Sequence, residues 1–254
     1  MFRPRVIPVL LLKGQGLVKS IRFKNHRYIG DPINAVRIFN ELKADELVFL
    51  DILATKENRT VSLDFVKNVG EEANMPFAVG GGIKTVKQIR DILHAGAEKV
   101  VINTAAIQNP DFVRQATDSF GSSTITVCID VKKNLFGTEQ SWIVSGSKST
   151  GKSPVEVARE MEKQGAGEII VQSIESDGMM QGYDIALIKK ISEAVTIPVV
   201  ALGGAGIFKD FNMAIKEGYA SAVAAGSMFV FHGPRQAVLV NYPTQEQLSE
   251  LLKR

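Results

Sequence analysis

The stretch Val79-Gly80-Gly81-Gly82-Ile83 recurs 123 residues later as Leu202-Gly203-Gly204-Ala205-Gly206. Each copy follows a short apolar run and precedes a segment whose apolar residues are spaced three and four apart. Glycine clusters at such a junction are typical of tight turns between a strand and a helix. Their recurrence at a fixed distance indicates that the chain contains an internal repeat.

Two further matches extend the repeat in both directions. Residues 46–52 match 168–174, and residues 96–102 match 218–224, both at an offset of 122. The chain therefore reads as two similar halves, about residues 1–122 and 123–240. A function performed at one place in the first half can then be repeated at the equivalent place in the second.

Eight apolar runs alternate with helical patterns along the chain, which predicts a parallel sheet with a helix after each strand. The predicted strands are Val6–Leu12, Glu46–Ile52, Phe77–Val79, Lys99–Ile102, Thr124–Asp130, Glu168–Ser173, Pro198–Leu202 and Ala222–Ala225. Eight units in 254 residues predict one (β/α)8 TIM barrel spanning 1–254, with a C-terminal helix at 244–253. A doubly wound open sheet is the alternative, but it leaves the repeat unexplained. The polar insertion Lys132–Ser149 predicts a hairpin over the barrel mouth.

The composition excludes several classes of function. A net charge of +3 is too small to indicate nucleic-acid or membrane-surface binding, and no apolar run is long enough to cross a membrane. The N-terminus reads as a buried strand without a signal-peptide cleavage site. The single cysteine, Cys128, lies in an apolar run, as expected of a core thiol in the cytoplasm. The three histidines have no metal-ligand spacing, so neither metal nor cofactor is predicted.

Both halves carry glycines where the working end of a barrel is expected. In the first half these are Gly80-Gly81-Gly82 and then Asn103-Thr104; in the second they are Gly203-Gly204 and then Gly226-Ser227. Glycines let backbone N–H groups approach an anion closely, so two phosphate sites are predicted. The alternative is that these glycines serve only the turns.

One carboxylate breaks the symmetry between the halves. Asp130 ends the fifth predicted strand, and the equivalent position on the first strand is Leu11. A desolvated carboxylate at a strand end is a candidate general acid or base, whereas leucine transfers no proton. Lys19 follows the first strand in a glycine-containing loop that is a candidate lid. Asp177-Gly178 lies after the sixth strand and is also a favourable turn pair.

The opposite end of the barrel carries charge at the strand starts. Arg5, Glu46, Lys99 and Glu168 begin the first, second, fourth and sixth strands. Two positive and two negative side chains at these positions can close a ring over the bottom of the barrel. A solvated rim of charges is the alternative.

These residues resemble HisF, the cyclase subunit of imidazole glycerol phosphate synthase, over nearly the whole chain. The resemblance rests on Gly30–Pro32, Asp45–Ile52, Val79–Ile83, Ile102–Ala106, Gly165–Ile169 and Gly203–Gly206. It implies a HisH-like glutaminase docked at the N-terminal face of the barrel, forming a heterodimer. It further implies that ammonia enters through a gate formed by Arg5, Glu46, Lys99 and Glu168.

The resemblance also implies roles at the top of the barrel. Gly82, Asn103 and Thr104 would hold one phosphate of a phosphorylated small molecule. The other phosphate would be held by Asp177, Gly178, Gly204, Gly226 and Ser227. Asp130 and Lys19 match catalytic positions of the family. Its other catalytic aspartate is Leu11 here, and a threonine that usually follows the Asp-Gly pair is Met179.

Three stretches are similar in sequence to HisF-like proteins encoded with surface-polysaccharide genes: residues 3–12, 225–233 and 237–243. That branch implies ammonia supply to a separate sugar amidotransferase that makes acetamidino sugars. Two alternatives stay open. One is a working cyclase that converts the phosphoribulosyl carboxamide and ammonia into imidazole glycerol phosphate and aminoimidazole carboxamide ribotide. The other is a phospho-ligand sensor or scaffold with no role in ammonia handling. Because one catalytic aspartate is missing, the sequence leaves open whether the chain is itself an enzyme.

Overall fold

The structure, a computed structural model, describes residues 3–252. Its strands are β1 (Arg5–Lys13), β2 (Gly16–Ile21), β3 (Lys24–Gly30), β4 (Leu47–Asp51), β5 (Phe77–Gly80), β6 (Lys99–Ile102), β7 (Ile125–Lys133), β8 (Glu139–Ile143), β9 (Lys148–Ser149), β10 (Glu168–Ser173), β11 (Val199–Leu202), β12 (Ala222–Ala225), β13 (Phe231–His232) and β14 (Ala237–Val238). Its α-helices are α1 (Pro32–Glu41), α2 (Leu63–Glu72), α3 (Val86–His94), α4 (Thr104–Gln108), α5 (Pro110–Phe120), α6 (Pro154–Lys163), α7 (Ile185–Ser192), α8 (Phe208–Lys216) and α9 (Gln245–Leu251).

Eight of these strands form a closed parallel barrel. The order is β1, β4, β5, β6, β7, β10, β11 and β12, and β12 pairs with β1 to complete the circle. The predicted (β/α)8 fold is thereby confirmed. The fourth, sixth and eighth predicted strands have the predicted bounds, whereas the fifth continues to Lys133. The C-terminal helix α9 begins after its N-cap Thr244, whose side chain accepts a hydrogen bond from the backbone N–H of Gln247.

The first strand of each half continues into an antiparallel hairpin. β1 pairs with β2, and β2 with β3, which we call the first hairpin; β7 pairs with β8, and β8 with β9, which we call the second hairpin. The second hairpin was predicted from the polar insertion and is confirmed. The prediction that Lys19 lies in a mobile loop is wrong, because Lys19 lies within β2. Residues 17–20 of β2 are all buried. The sequence of β2 therefore lacks the alternation of apolar and polar residues by which a half-exposed strand is recognised.

Two apolar layers fill the molecule. The outer layer packs the strands against the surrounding helices and includes the fully buried Phe39, Phe49 and Phe211. The inner layer consists of buried apolar side chains inside the barrel. Its members are Ile7, Val9, Leu11, Val18, Val48, Ala78, Val101, Cys128, Ile170, Val200, Leu202, Ala222 and Ala224. Alternate residues of each strand point to opposite faces, and this alternation divides the apolar side chains between the layers.

No helix within residues 3–252 has both the length and the apolar character needed to span a membrane.

Candidate functional site

A cavity of about 400 Å³ opens at the carboxyl ends of the strands, and we call it the upper cavity. It lies beside the ends of β4, β5, β6 and β7, the end where barrel enzymes place their working residues. The second hairpin contributes Val144 and Ser145 to its wall, so this hairpin lies at the barrel mouth as predicted. Ser145 Oγ donates a hydrogen bond of 2.9 Å to the carbonyl oxygen of Ile52, which ties the hairpin to the segment after β4.

Asp130 and Leu11 line this cavity together. Asp130 is buried on β7 and accepts a hydrogen bond of 3.5 Å from Cys128 Sγ. Burial raises the pKa of Asp130 to about 7, despite the opposing effect of that hydrogen bond, and the nearby Asp177 raises it further. Leu11 is buried on β1 and offers no group that exchanges protons. Asp130 can therefore act as a proton donor or acceptor near neutral pH, without a partner carboxylate at position 11.

The first set of predicted phosphate residues lies in the upper cavity. Gly82 adopts φ +66°, and a Cβ there would collide with the carbonyl oxygen of Arg59, so only glycine fits this turn. Asn103 Nδ2 donates to the carbonyl oxygens of Cys128 (3.0 Å) and Trp142 (3.3 Å). Thr104 Oγ1 accepts 3.0 Å from the N–H of Val144. These two side chains fasten the second hairpin to the barrel.

Three basic residues of this cavity were missed by the sequence analysis. Lys56, Arg59 and Lys84 line the upper cavity. Arg59 Nη1 donates 2.5 Å to Asp51, the strand-end carboxylate of β4, and Lys84 Nζ donates 2.6 Å to Asn58. The lysines lie in connecting loops without any motif, so only the fold brings them to the cavity.

The second set of predicted phosphate residues surrounds a smaller space of about 30 Å³, which we call the small cavity. Asp177, Gly178, Gly204, Gly226 and Ser227 all line it, together with Lys19. Burial raises the pKa of Asp177, and hydrogen bonds from Ser20 and Phe23 oppose this shift. The structure thus brings the predicted residues of the second half into one place.

Lys19 lies on β2 at 5% exposure and donates to the carbonyl oxygen of Val9. Burial lowers the pKa of Lys19 to about 8, although the charge of Asp177 raises it. The two residues predicted to be catalytic, Asp130 and Lys19, line different cavities. Leu11, Ser20 and Gln172 line both cavities, so the two cavities adjoin.

At the bottom of the barrel Arg5, Glu46, Lys99 and Glu168 form a closed ring of ion pairs, the basal ring. Arg5 pairs with Glu46 and with Glu168. Lys99 Nζ lies 3.2 Å from Glu46 Oε1 and 3.5 Å from Glu168 Oε2. Both carboxylates are buried, and each contacts both cations, so the charges are compensated within the ring.

Between the basal ring and the upper cavity the lumen is almost wholly apolar. Ile7, Val48 and Ala78 belong to this inner layer near the ring, and Leu11 and Cys128 belong to it near the cavity. Burial keeps the pKa of the Cys128 thiol well above its usual value, so the thiol is neutral. Within residues 3–252 no cluster of three or more His, Cys, Asp or Glu side chains is arranged to hold a metal ion.

Comparison with known proteins places the whole chain in one family. A family model described as "Histidine biosynthesis protein" matches residues 5–234. A Pseudomonas aeruginosa protein provisionally named imidazole glycerol phosphate synthase subunit hisF2 is 45% identical, covering 98% of this chain and 99% of the relative. The similarly named hisF3 of Vibrio vulnificus is 41% identical over 100% and 98%. The imidazole glycerol phosphate synthase subunit HisF of Thermococcus onnurineus is 46% identical over 91% and 90%.

Proposed function

Because this chain belongs to the histidine biosynthesis protein family, and within it to the HisF proteins, we propose that it is the synthase-type subunit of a glutamine amidotransferase. It docks a HisH-like glutaminase at the N-terminal face of the barrel and conducts ammonia through the lumen. The ammonia serves a separate sugar amidotransferase that makes acetamidino sugars for surface polysaccharide. The observation that carries the proposal is a closed basal ring in a barrel that has Leu11 where the resemblance implies a second catalytic aspartate.

The lumen supports conduction of neutral ammonia. An apolar passage excludes the ammonium ion, whose burial without a counter-charge is costly, whereas neutral ammonia crosses apolar surroundings more readily. The basal ring closes the entrance with paired charges. A docked glutaminase would release ammonia beside the ring, and separating one of its ion pairs would open the passage.

The top of the barrel supports a role other than cyclisation. A positioned general acid or base contributes roughly 10²- to 10⁴-fold to a rate, and Leu11 supplies none. Gln172 and Leu202, which line the small cavity, carry no acidic or basic group either. Asp130 remains able to exchange a proton, but no second carboxylate faces it from β1.

Complex formation tests the proposal. The chain is mixed with a HisH-like glutaminase and analysed by size-exclusion chromatography with light scattering. We expect a one-to-one complex at micromolar concentration. Two separate peaks at every ratio tested would eliminate glutaminase docking and with it the proposed function.

The second candidate is the cyclase of histidine biosynthesis, favoured by the retention of Asp130 and Lys19 beside the cavities. It predicts imidazole glycerol phosphate from the phosphoribulosyl carboxamide and free ammonia. Under the proposed function, the wild-type chain forms imidazole glycerol phosphate no faster than the reaction without protein. The same assay on Leu11→Asp shows whether this position alone removed the chemistry, because activity confined to the variant requires an otherwise preserved pocket.

A further inference from the structure

The bottom face of the barrel carries one exposed aromatic side chain in its loops. The loops that lead from each helix to the next barrel strand lie at this face, around the basal ring. Within residues 3–252, Tyr219 is the only exposed large apolar side chain in these loops, and it lies between α8 and β12. Its exposed fraction is 54%, so about half of the side chain is available to a partner.

The loop of Tyr219 adjoins the basal ring. Ala222, three residues after Tyr219, pairs in parallel register with Arg5. Three residues span at most about 11 Å, and paired strands lie about 4.8 Å apart. Arg5 is also the most exposed member of the ring. Because an interface of ordinary size buries about 800 Å² on each partner, a protein that covers Arg5 from below also reaches Tyr219.

The backbone of Tyr219 is held in an unfavourable conformation. Its φ is +57°, in the left-handed region that a bulky side chain rarely occupies. The flanking N–H groups of Gly218 and Ala220 fix the loop, because they donate to the carbonyl oxygens of Met213 (3.1 Å) and Ala214 (3.0 Å). Backbone strain at an exposed residue that adds little to the core points to a role in binding.

Lys189 restrains the ring of Tyr219 from the neighbouring helix α7. Its Nζ lies 5.2 Å from the ring centroid, within the range of a cation–π contact. Nζ of Lys189 also lies 3.9 Å from Oε1 of Glu193. A ring that is restrained before binding loses less conformational freedom when a partner covers it. Tyrosine is, in addition, one of the residues that contribute most to the affinity of protein interfaces.

We propose that Tyr219 anchors the docked glutaminase by inserting its ring into an apolar recess of that subunit, beside the basal ring. The inference rests on the proposed function and deepens it, because it names the side chain on which docking at the bottom face depends. The recess buries the half of the ring that the free chain leaves in water.

Calorimetric titration of the full chain with a HisH-like glutaminase tests the inference. Tyr219→Asn removes the ring, and asparagine tolerates the left-handed backbone, so the loop keeps its conformation. We expect the dissociation constant to rise at least about tenfold. Tyr219→Phe keeps the ring and should bind within about threefold of the wild type. Tyr28→Asn is the matched control and should bind like the wild type, because Tyr28 is 66% exposed on β3, at the other end of the barrel.

The outcomes separate this inference from the proposed function. If the wild type does not bind the glutaminase, both are wrong. If the wild type binds and Tyr219→Asn binds as tightly as Tyr28→Asn, the inference is wrong and docking itself stands. A loss in Tyr219→Phe as large as that in Tyr219→Asn would also overturn the inference, because the ring is still present in Tyr219→Phe.

Discussion

Leu11 and Asp130 occupy equivalent positions on the first strands of the two half-barrels and face the same cavity. Each is followed by an antiparallel hairpin, so the backbone environment is similar at both positions. The difference lies in the side chain. With leucine opposite, Asp130 has no cation paired with it among the described residues. Its carboxyl group keeps a proton close to neutral pH because the charged form is poorly solvated.

The pKa of Asp130 predicts how stability depends on pH. In the folded state it is about 7, above the ordinary value of 3.8, so the folded chain binds more protons across this window. Stability is therefore lost as pH rises from about 4 to 7. Asp130→Asn removes this loss. The unfolding free energy of the variant minus that of the wild type should therefore increase by at most about 3 kcal/mol between pH 5 and pH 8.

Urea unfolding at the two pH values measures this difference. Asp118→Asn, on the exposed face of α5, is the control and should show no such growth. If the difference in unfolding free energy between Asp130→Asn and the wild type is the same at pH 5 and pH 8, Asp130 is ionised in the folded protein at both. Asp130 would then not exchange a proton near neutral pH.

Among the elements, the first hairpin depends on Asp177. The backbone N–H of Arg22 donates 2.9 Å to its carbonyl oxygen, and Ser20 and Phe23 donate to its carboxylate. These bonds join a hairpin from the first half-barrel to a loop of the second. β2 is anchored by buried side chains, but β3 is mostly exposed, so the outer part of the hairpin has little buried surface of its own.

We predict that Asp177→Ala loosens the first hairpin. Loss of the carboxylate leaves Ser20 Oγ and the N–H of Phe23 without their acceptor, so the hairpin opens more often. The backbone after the exposed Arg22 and Lys24 then unfolds enough to enter the trypsin active site. The rate of cleavage at these residues, followed by mass spectrometry, should rise at least about fivefold, which corresponds to about 1 kcal/mol of local stability. Asp118→Ala is the control. Cleavage no faster than in the control would show that Asp177 does not hold the hairpin.

The sequence predicted the second hairpin and not the first, for a physical reason. Residues 132–149 are a long polar insertion, with turn residues between two strand-like runs. In the first hairpin, β2 is buried over four consecutive residues, while β3 has mostly polar residues. Neither strand shows alternation. Arg59, Lys56 and Lys84 were missed for a related reason, because loop residues carry no periodicity that shows where they point.

At the scale of the whole molecule, the basal ring unites strands from both half-barrels, since Arg5, Glu46 and Lys99 come from the first and Glu168 from the second. The repeat predicted the barrel, and the charges at strand starts predicted the members of the ring. Their pairing depends on barrel closure, which brings β1, β4, β6 and β10 round one axis. The sequence gives no indication of the volumes of the two cavities, because these depend on side chains from distant elements.

The ring predicts a specific cost for the loss of one carboxylate. Glu46→Gln leaves Arg5 and Lys99 with Glu168 as their only carboxylate in the ring. Loss of one partner of a fully buried pair costs about 3–5 kcal/mol. Arg5 is 34% exposed, so we expect a smaller loss, roughly 2 kcal/mol of unfolding free energy.

Urea denaturation of Glu46→Gln checks this, with Asp91→Asn as the control. Asp91 pairs with the largely exposed Lys87, so its loss should cost at most about 0.5 kcal/mol. Equal losses in the two variants would mean that the basal ring is a solvated rim of charges, which is the alternative that the sequence left open.

The bottom face of this barrel, under the proposed function, binds and activates a glutaminase. The rate of glutamine hydrolysis by a HisH-like glutaminase, measured alone and with an equimolar amount of this chain, tests it most directly. We predict a rise of about 5- to 150-fold, the usual range for coupling between two sites. An unchanged rate at concentrations where the two chains should be bound would contradict the account.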